Sequence, residues 1–176
     1  ELVNFSTMGF NPYFHSSNFV EQKLSSQTEV MKIALNVGKV FFYGAGSSSQ
    51  EMCSIIEEGL RRVFNQAEIH VDHDLNGAAF STWSGVPAIT CILGTGSNSC
   101  FFDGSTVFEE VPSLAYILGD EGSGSWFGKR LLRAFLYKKL PQSIHDDFVS
   151  EYGFTVTDIN KKVYTEKNPN VFLASF

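Results

Sequence analysis

The stretch Ala88-Ile-Thr-Cys-Ile-Leu-Gly94-Thr95-Gly96-Ser97-Asn98-Ser-Cys-Phe-Phe-Asp103-Gly104 constrains the fold more than any other. Two short apolar runs, rich in β-branched and aromatic residues, flank a turn of small residues. Runs of that length are too short for buried helices and read as the two strands of a hairpin. The turn has a second meaning. Its glycines permit positive φ and close approach of backbone to a ligand. Its successive N–H groups, with the hydroxyls of Thr95 and Ser97, are suited to surround phosphate oxygens. A Gly-Thr-Gly alone is most often a plain hairpin turn, so its significance rests on what precedes and follows it.

Upstream, the hydrophobic period alternates between two and three-to-four. Residues 2–7 read as a strand, and Gly9-Phe-Asn11-Pro12 as a loop with turn chemistry. Residues 18–37 have helical character. Lys39-Val-Phe-Phe-Tyr43 is a buried strand ending in Gly44-Ala-Gly46. Ser48-Ser-Gln-Glu51 has the form of a capping box, in which the two side chains satisfy the first free N–H groups of a helix. Met52, Ile55, Ile56, Gly59, Leu60, Val63 and Phe64 then follow at helical spacing. Ala67-Glu-Ile-His-Val-Asp72 alternates like a strand, and residues 74–83 read as the next helix. Strand and helix repeated three times predict an α/β layer with at least part of its sheet parallel. Such sheets bind ligands beyond the carboxyl ends of their strands. Asn11, Gly44-Ala-Gly46 and Asp72-His73-Asp74 all fall at such ends.

Downstream the arrangement changes. A third strand is expected over residues 107–111. Asp120-Glu121-Gly122-Ser123-Gly124 then opens a helix to about residue 140, with Trp126, Phe127, Leu131, Phe135 and Leu136 as its buried face. Residues 144–152 and 156–163 add helical turns and read as a helical insertion. The chain starts at Glu1 in strand-like sequence and stops in Val171-Phe-Leu-Ala-Ser-Phe176, an apolar run that needs a cover. Both ends are expected to be cuts in a longer protein.

Composition removes several classes of function. A chain of 176 residues with 43% hydrophobic and 18% charged residues is globular rather than disordered. The net charge is −6, and Lys and Arg occur in groups of no more than three, so nucleic acid is not expected as a main partner. No apolar stretch approaches the roughly 20 residues needed to cross a bilayer, and no signal peptide is visible. Cys53, Cys91 and Cys100 are odd in number, widely spaced and without a C-x-x-C pair. They read as reduced core thiols of a cytoplasmic protein rather than as a disulfide frame or a zinc site.

Three acids carry the candidate chemistry. Asp74 stands where a strand hands over to a helix, with Gly77, Ala78 and Ala79 behind it for close packing. An acid there is in the first place an N-cap, held by free N–H groups and the helix dipole. In a cleft it is also a base for an attacking hydroxyl. Asp120 and Glu121 precede a Gly-Ser-Gly turn and have the same two readings, helix capping or reception of ligand hydroxyls. Asn11 is a turn residue or a ligand contact. The histidines of His70-Val-Asp72-His73-Asp74 do not make a metal site, because alternation sends Ile69 and Val71 to one face and His70 and Asp72 to the other. Trp83 and Trp126 read as core.

Taken in order, Thr7-Met-Gly-Phe-Asn11-Pro12, Tyr43-Gly-Ala-Gly46, Asp72-His-Asp74-Leu-Asn-Gly77-Ala-Ala, Leu93-Gly-Thr-Gly-Ser-Asn98 and Ile117-Leu-Gly-Asp120-Glu-Gly-Ser-Gly124 resemble one family. It is the BadF/BadG/BcrA/BcrD-type ATPases, in their N-acetylglucosamine kinase branch, within the actin–hexokinase–heat-shock ATPase superfamily. The resemblance implies a ribonuclease H-like α/β fold in two lobes with a helical insertion. Residues 1–86 would be the N-terminal lobe without its first strands, and residues 87–176 the start of the C-terminal lobe. It implies a phosphotransferase that moves the ATP γ-phosphoryl group to an amino sugar, N-acetylglucosamine at its 6-hydroxyl, with Mg²⁺ as cofactor. By this resemblance Gly94, Thr95, Gly96, Ser97 and Asn98 form the second phosphate loop, Asp74 is the base, and Asn11 and Asp120 contact the sugar. A cytoplasmic homodimer is also implied.

The chain departs from the family pattern at several points. The first phosphate loop, an Asp-Gly-Gly-Gly-Thr type hairpin, and the later adenosine-binding Gly motif are absent. The chain therefore reads as an incomplete portion that binds ATP poorly alone. Ser113-Leu-Ala115 stands where some amino-sugar kinases carry Gly-Trp-Gly. Two other readings remain open: a non-catalytic sugar sensor of the same fold, and an iron–sulfur activator of a CoA-ester dehydratase or reductase. The second needs cluster cysteines, which the three cysteines in core patterns do not supply.

Overall fold

The computed structural model describes residues 4–176. The chain divides into two compact units, Glu1–Val86 and Pro87–Phe176. The first contains α1 (Ser17–Ser25), α2 (Thr28–Ile33), a 3-10 turn (Ala34–Asn36), β1 (Lys39–Gly44), α3 (Gln50–Val63), β2 (Glu68–His73) and α4 (Asp74–Thr82). Strands β1 and β2 pair in parallel, from Lys39 opposite Glu68 to Gly44 opposite His73. Parallel neighbours need a crossover, and α3 supplies it.

Helix α3 forms for the reasons legible in its period. Ile56, Gly59, Leu60 and Val63 are buried, while Arg61 and Arg62 pair with Glu57 and Glu58 one turn back on the outer side. Gly59 sets how closely α1 approaches, since a Cβ there would lie 2.6 Å from Val20 Cβ. Phe10, Val20, Leu24, Ile56, Leu60 and Ile69 share this core. A fully buried Val or Ile such as Val20 or Ile56 contributes about 1.5–3 kcal/mol.

Three expectations for this unit need correction. Of the strand expected over residues 2–7, residues 2 and 3 lie outside the described residues, and residues 4–7 are irregular backbone. The single helix expected over residues 18–37 is two helices and a 3-10 turn. Leu24 and Val30, both buried, are six residues apart, which at 3.6 residues per turn is about 240° of rotation. A continuous helix would turn one of them away from the core, and the break at Ser26–Gln27 rephases the second piece. Finally, the cap of α3 is Ser49, not Ser48. Its backbone is extended and its hydroxyl accepts the Met52 N–H at 3.3 Å, so the box expected from Ser48 to Glu51 does not form.

The second unit begins with β3 (Ala88–Leu93) and β4 (Ser97–Phe102), an antiparallel pair joined by Gly94–Gly96. β5 (Val107–Phe108) adds only two residues to β4, less than the 107–111 expected. The Asp103 carboxylate takes the N–H groups of Ser105 and Thr106, both at 2.8 Å, and so fixes the turn between these strands. Helices α5 (Ala115–Leu118), α6 (Gly124–Leu136), α7 (Gln142–Tyr152), α8 (Val156–Tyr164) and α9 (Pro169–Leu173) follow. Leu132, Phe148, Ile159 and Leu173 are the buried centre of the helical part.

Here too the details differ from expectation. Helix α6 buries Ser125, Gly128 and Leu132, with Leu131, Phe135 and Leu136 beside them, whereas Phe127 is exposed. The reason is close apposition to α9, which requires small residues: a Cβ on Gly128 would sit 1.6 Å from the Leu173 carbonyl oxygen. The apolar tail is covered inside its own unit, for Leu173 is buried and Phe176 packs on Phe148 and Tyr152. The cysteines are not uniformly core. Cys100 is buried and Cys53 half-buried, with burial pushing both thiols up, but Cys91 is exposed because β3 turns Thr90 inward and its neighbours outward. Trp83 is likewise partly exposed. Among the described residues, no helix is long and apolar enough to cross a membrane.

Candidate functional site

In the first unit, three sequence-predicted positions meet at the carboxyl edge of the parallel sheet. Gly44 ends β1 opposite His73, which ends β2, so the Gly44–Gly46 turn and Asp74 leave neighbouring strands side by side. Asn11 joins them through Gly46, which has φ +85; a Cβ there would lie 2.5 Å from Asn11 Oδ1. Asn11 is held on the other side by its own turn. Its Oδ1 accepts the Tyr13 N–H at 3.0 Å, and its carbonyl accepts from Phe14 and His15. The local Asx turn thus fixes a side chain whose carboxamide NH₂ group lies against the same edge.

Asp74 is not the cap of α4. His73 occupies the cap with extended backbone and no side-chain cap bond, and Asp74 is the first helical residue. Its Oδ1 lies 3.0 Å from His73 Nε2. The imidazole and the carboxylate thus stand side by side at the sheet edge. The sequence places His73 at a ligand-binding strand end but not against Asp74; that contact depends on the rotamers of two adjacent side chains. One third of the Asp74 side chain is exposed at the edge. Gly77 on the next turn lets α4 close on β1, where a Cβ would meet Tyr43 Cβ at 2.6 Å.

In the second unit, the Gly94–Asn98 turn and the Asp120 segment are brought together. Asp120 Oδ1 accepts the Ser97 N–H at 3.1 Å, and the Ser97 hydroxyl donates to the Glu121 carbonyl at 2.9 Å. The N–H groups of Gly124 and Ser125 donate to the carbonyls of Gly94 and Thr95, at 2.8 and 3.1 Å. The turn is therefore clasped onto the start of α6, and Ser123 caps that helix by accepting the Trp126 N–H. This narrows what the turn offers a phosphate. Both Ser97 donors are used internally, and the Gly94 N–H donates to the Gly96 carbonyl. The Thr95 and Gly96 N–H groups and the exposed Thr95 hydroxyl carry no hydrogen bond among the described residues. These are the donors that fit an anionic ligand.

Asp120 itself is in the left-handed region, with φ +61. That costs a non-glycine residue about 1 kcal/mol, least for Asp and Asn. A cavity of about 370 Å³ adjoins it, lined among others by Leu93, Ser97, Asn98, Ser113 and Leu114. Among the described residues, no three His, Cys, Asp or Glu side chains stand together as a metal-binding group.

A parallel strand pair with Asn11, Gly46 and Asp74 at its carboxyl edge, and, in the second unit, a glycine turn clasped by an acid, define the chain as an α/β protein. No family model and no curated protein matches the chain. Among solved structures, it is similar to a candidate N-acetylglucosamine kinase of Porphyromonas gingivalis, with a TM-score of 0.89 and 38% sequence identity. The match covers 98% of this chain and 62% of that protein, so the chain spans about three-fifths of its relative's length.

Proposed function

We propose that the chain is part of an ATP-dependent sugar kinase whose acceptor is an amino sugar, N-acetylglucosamine at its 6-hydroxyl. The observation that carries this reading is the placing of Asp74. It is a partly exposed carboxylate at the carboxyl edge of a parallel sheet, 3.0 Å from the His73 ring and on the same edge as the Gly46–Asn11 contact. The similarity to the P. gingivalis protein supports the same reading.

In this mechanism Asn11 and Asp120 hold sugar hydroxyls, and Asp74 accepts the proton of the attacking one as its oxygen bonds to the γ-phosphorus. The bond from that phosphorus to the β–γ bridging oxygen breaks, and ADP leaves with the electron pair. The Thr95 and Gly96 N–H groups and the Thr95 hydroxyl steady the phosphate oxygens. Mg²⁺ would arrive with ATP, held mainly by phosphates and water, and would offset their charge. Positioning and electrostatics supply most of the acceleration.

The test is direct. The full-length protein is incubated with Mg-ATP and a panel of hexoses and amino sugars, and ADP release and the position of the new phosphate ester are read. Turnover with N-acetylglucosamine at the 6-hydroxyl is the expected result. Sugar binding without any phosphoryl transfer would replace this reading with that of a sugar sensor.

A further inference from the structure

The end of α6 carries an arrangement that the sugar-kinase reading does not use. Trp126, Arg130, Arg133 and Tyr137 recur at intervals of four, three and four, and so lie along one face of the helix. Ser125, Gly128 and Leu132 on another face are buried, which leaves the basic and aromatic stripe outward. Arg130, Arg133, Ala134, Tyr137 and Lys139 line a cavity of about 530 Å³, within the size range of small-molecule sites.

The way the chain leaves the helix brings Lys139 to this cavity. The Lys138 N–H donates to the Phe135 carbonyl at 3.0 Å and the Lys139 N–H to the Ala134 carbonyl at 2.8 Å. These are the two bonds of a Schellman turn, with Lys138 in the left-handed position at φ +53. Glycine is usual there, and a lysine costs about 1 kcal/mol. The turn folds the next residue back, and the Lys139 ammonium stands 5.6 Å from the centre of the Tyr137 ring. Arg130 is held as well, its guanidinium 4.5 Å from the centre of the Trp126 ring. Stacking orients a planar fork of donors and leaves its edge open.

The charges of this cavity are unbalanced. Arg61, Arg62 and Lys39 elsewhere are each paired with a glutamate. Arg130, Arg133 and Lys139 have no ion-pair partner among the described residues. Like charges three residues apart on a helix repel one another. Favourable placement near the carbonyl end of the helix offsets part of that. It does not account for two guanidinium groups, an ammonium group and an aromatic ring around one concavity in a chain of net charge −6.

We propose that this cavity is a binding site for a small phosphorylated molecule. The Arg130 and Arg133 forks and the Lys139 ammonium take the phosphoryl oxygens, and the exposed Tyr137 ring packs on whatever the phosphate is attached to. Arginine forks match phosphate geometry with paired charge-assisted hydrogen bonds. The site lies on the C-terminal half of α6, away in sequence from Asp74, Thr95 and Asp120, and does not depend on the sugar-kinase reading.

Trp126 provides the readout, because an anion that engages the Arg130 guanidinium alters its stacking on the indole. Full-length protein is titrated with inorganic phosphate and, separately, with a hexose 6-phosphate, ionic strength being held constant with sodium chloride. A saturable change in tryptophan emission with a midpoint of about 1 mM is expected, and a tighter midpoint for the sugar phosphate would identify an organic ligand. Arg130→Gln/Arg133→Gln, at exposed positions with a good helix former, should weaken binding at least tenfold with an unchanged circular dichroism spectrum. Should that variant lose helix, Lys139→Gln, which lies beyond the helix, is expected to weaken binding about threefold. A response equal to that of sodium chloride alone, or a midpoint unmoved in the folded variant, would overturn the proposal.

Discussion

The carboxylate of Asp120 accepts the Ser97 N–H at 3.1 Å across 23 residues of chain, and there is room for it only because residue 96 is glycine. A Cβ on Gly96 would lie 2.8 Å from Asp120 Oδ2. The two conserve one geometry between them: a left-handed aspartate at the mouth of α6 and a hairpin turn pulled down onto it. Asn in place of Asp120 keeps an acceptor and tolerates φ +61. We therefore expect Asp120→Asn to melt within about 2 °C of the parent. Asp120→Ala, which loses the hydrogen bond and is strained, should melt about 3–6 °C lower. Both should weaken sugar binding in the full-length protein. Equal melting temperatures for the two variants would show that the clasp contributes nothing.

Asp74 and His73 make a second pair with a distinguishable signature. As the proposed base, Asp74→Asn should leave sugar affinity within a few-fold and lower kcat by roughly 10² or more. His73 is proposed to act by positioning Asp74, so His73→Ala should lower kcat about tenfold and raise KM little. Normal turnover in Asp74→Asn would remove the assignment of the base. An effect of His73→Ala on thermal stability alone would reduce its role to helix entry.

Gly128 tests the helical part. With the Leu173 carbonyl oxygen 1.6 Å from where its Cβ would be, Gly128→Ala must push α6 and α9 apart. Alanine favours a helix by about 1 kcal/mol over glycine, but overpacking of backbone on backbone costs more. A net loss of about 2–3 kcal/mol is expected, seen as a lower urea midpoint with an unchanged slope. A stabilised variant would mean that the two helices separate easily.

The capping box of α8 gives a pH dependence. The Thr155 hydroxyl and N–H both donate to Asp158 Oδ2, at 2.6 and 2.9 Å, and hold its carboxyl below the usual aspartate range. A carboxylate whose folded pKa is depressed adds stability above its unfolded pKa of about 3.9. That contribution is lost as pH falls through the folded value. The stability gap between the parent and Asp158→Asn should thus be constant near neutrality and narrow below about pH 4. Melting curves between pH 7 and pH 2.5 measure it, and a gap that widens in acid would contradict the sign.

Much of the fold was legible because it follows from local periodicity. The amphipathic spacing of α3, the alternation in β2 and the hairpin around Gly94–Gly96 each need only neighbouring residues to declare themselves. The break between α1 and α2 did not, since nothing local to Ser26 and Gln27 forbids a helix. It exists because Leu24 and Val30 must both face the same core. Phe127 was expected inside for its hydrophobicity. It lies outside because Gly128, beside it, is where α9 makes contact, and a side chain's burial depends on what packs opposite.

At the candidate site the division is similar. Residue types and their order along the chain were enough to single out Asn11, Asp74, Gly94 to Asn98 and Asp120, because glycine turns and acids at strand–helix junctions follow from backbone chemistry alone. Which donors of the turn are left free was decided by tertiary structure. Ser97 reads in the sequence as a phosphate ligand, yet its N–H and hydroxyl are taken by Asp120 and Glu121, more than 20 residues away. The basic cavity was equally hidden. Lys129, Arg130 and Arg133 are one group in the sequence and Lys138 and Lys139 another, and only the left-handed turn at Lys138 folds the second back toward the first. Local sequence determines which groups a chain possesses and the elements that carry them. Whether each group is spent on the protein or presented to a ligand depends on contacts between residues far apart, which exist only once the chain has folded.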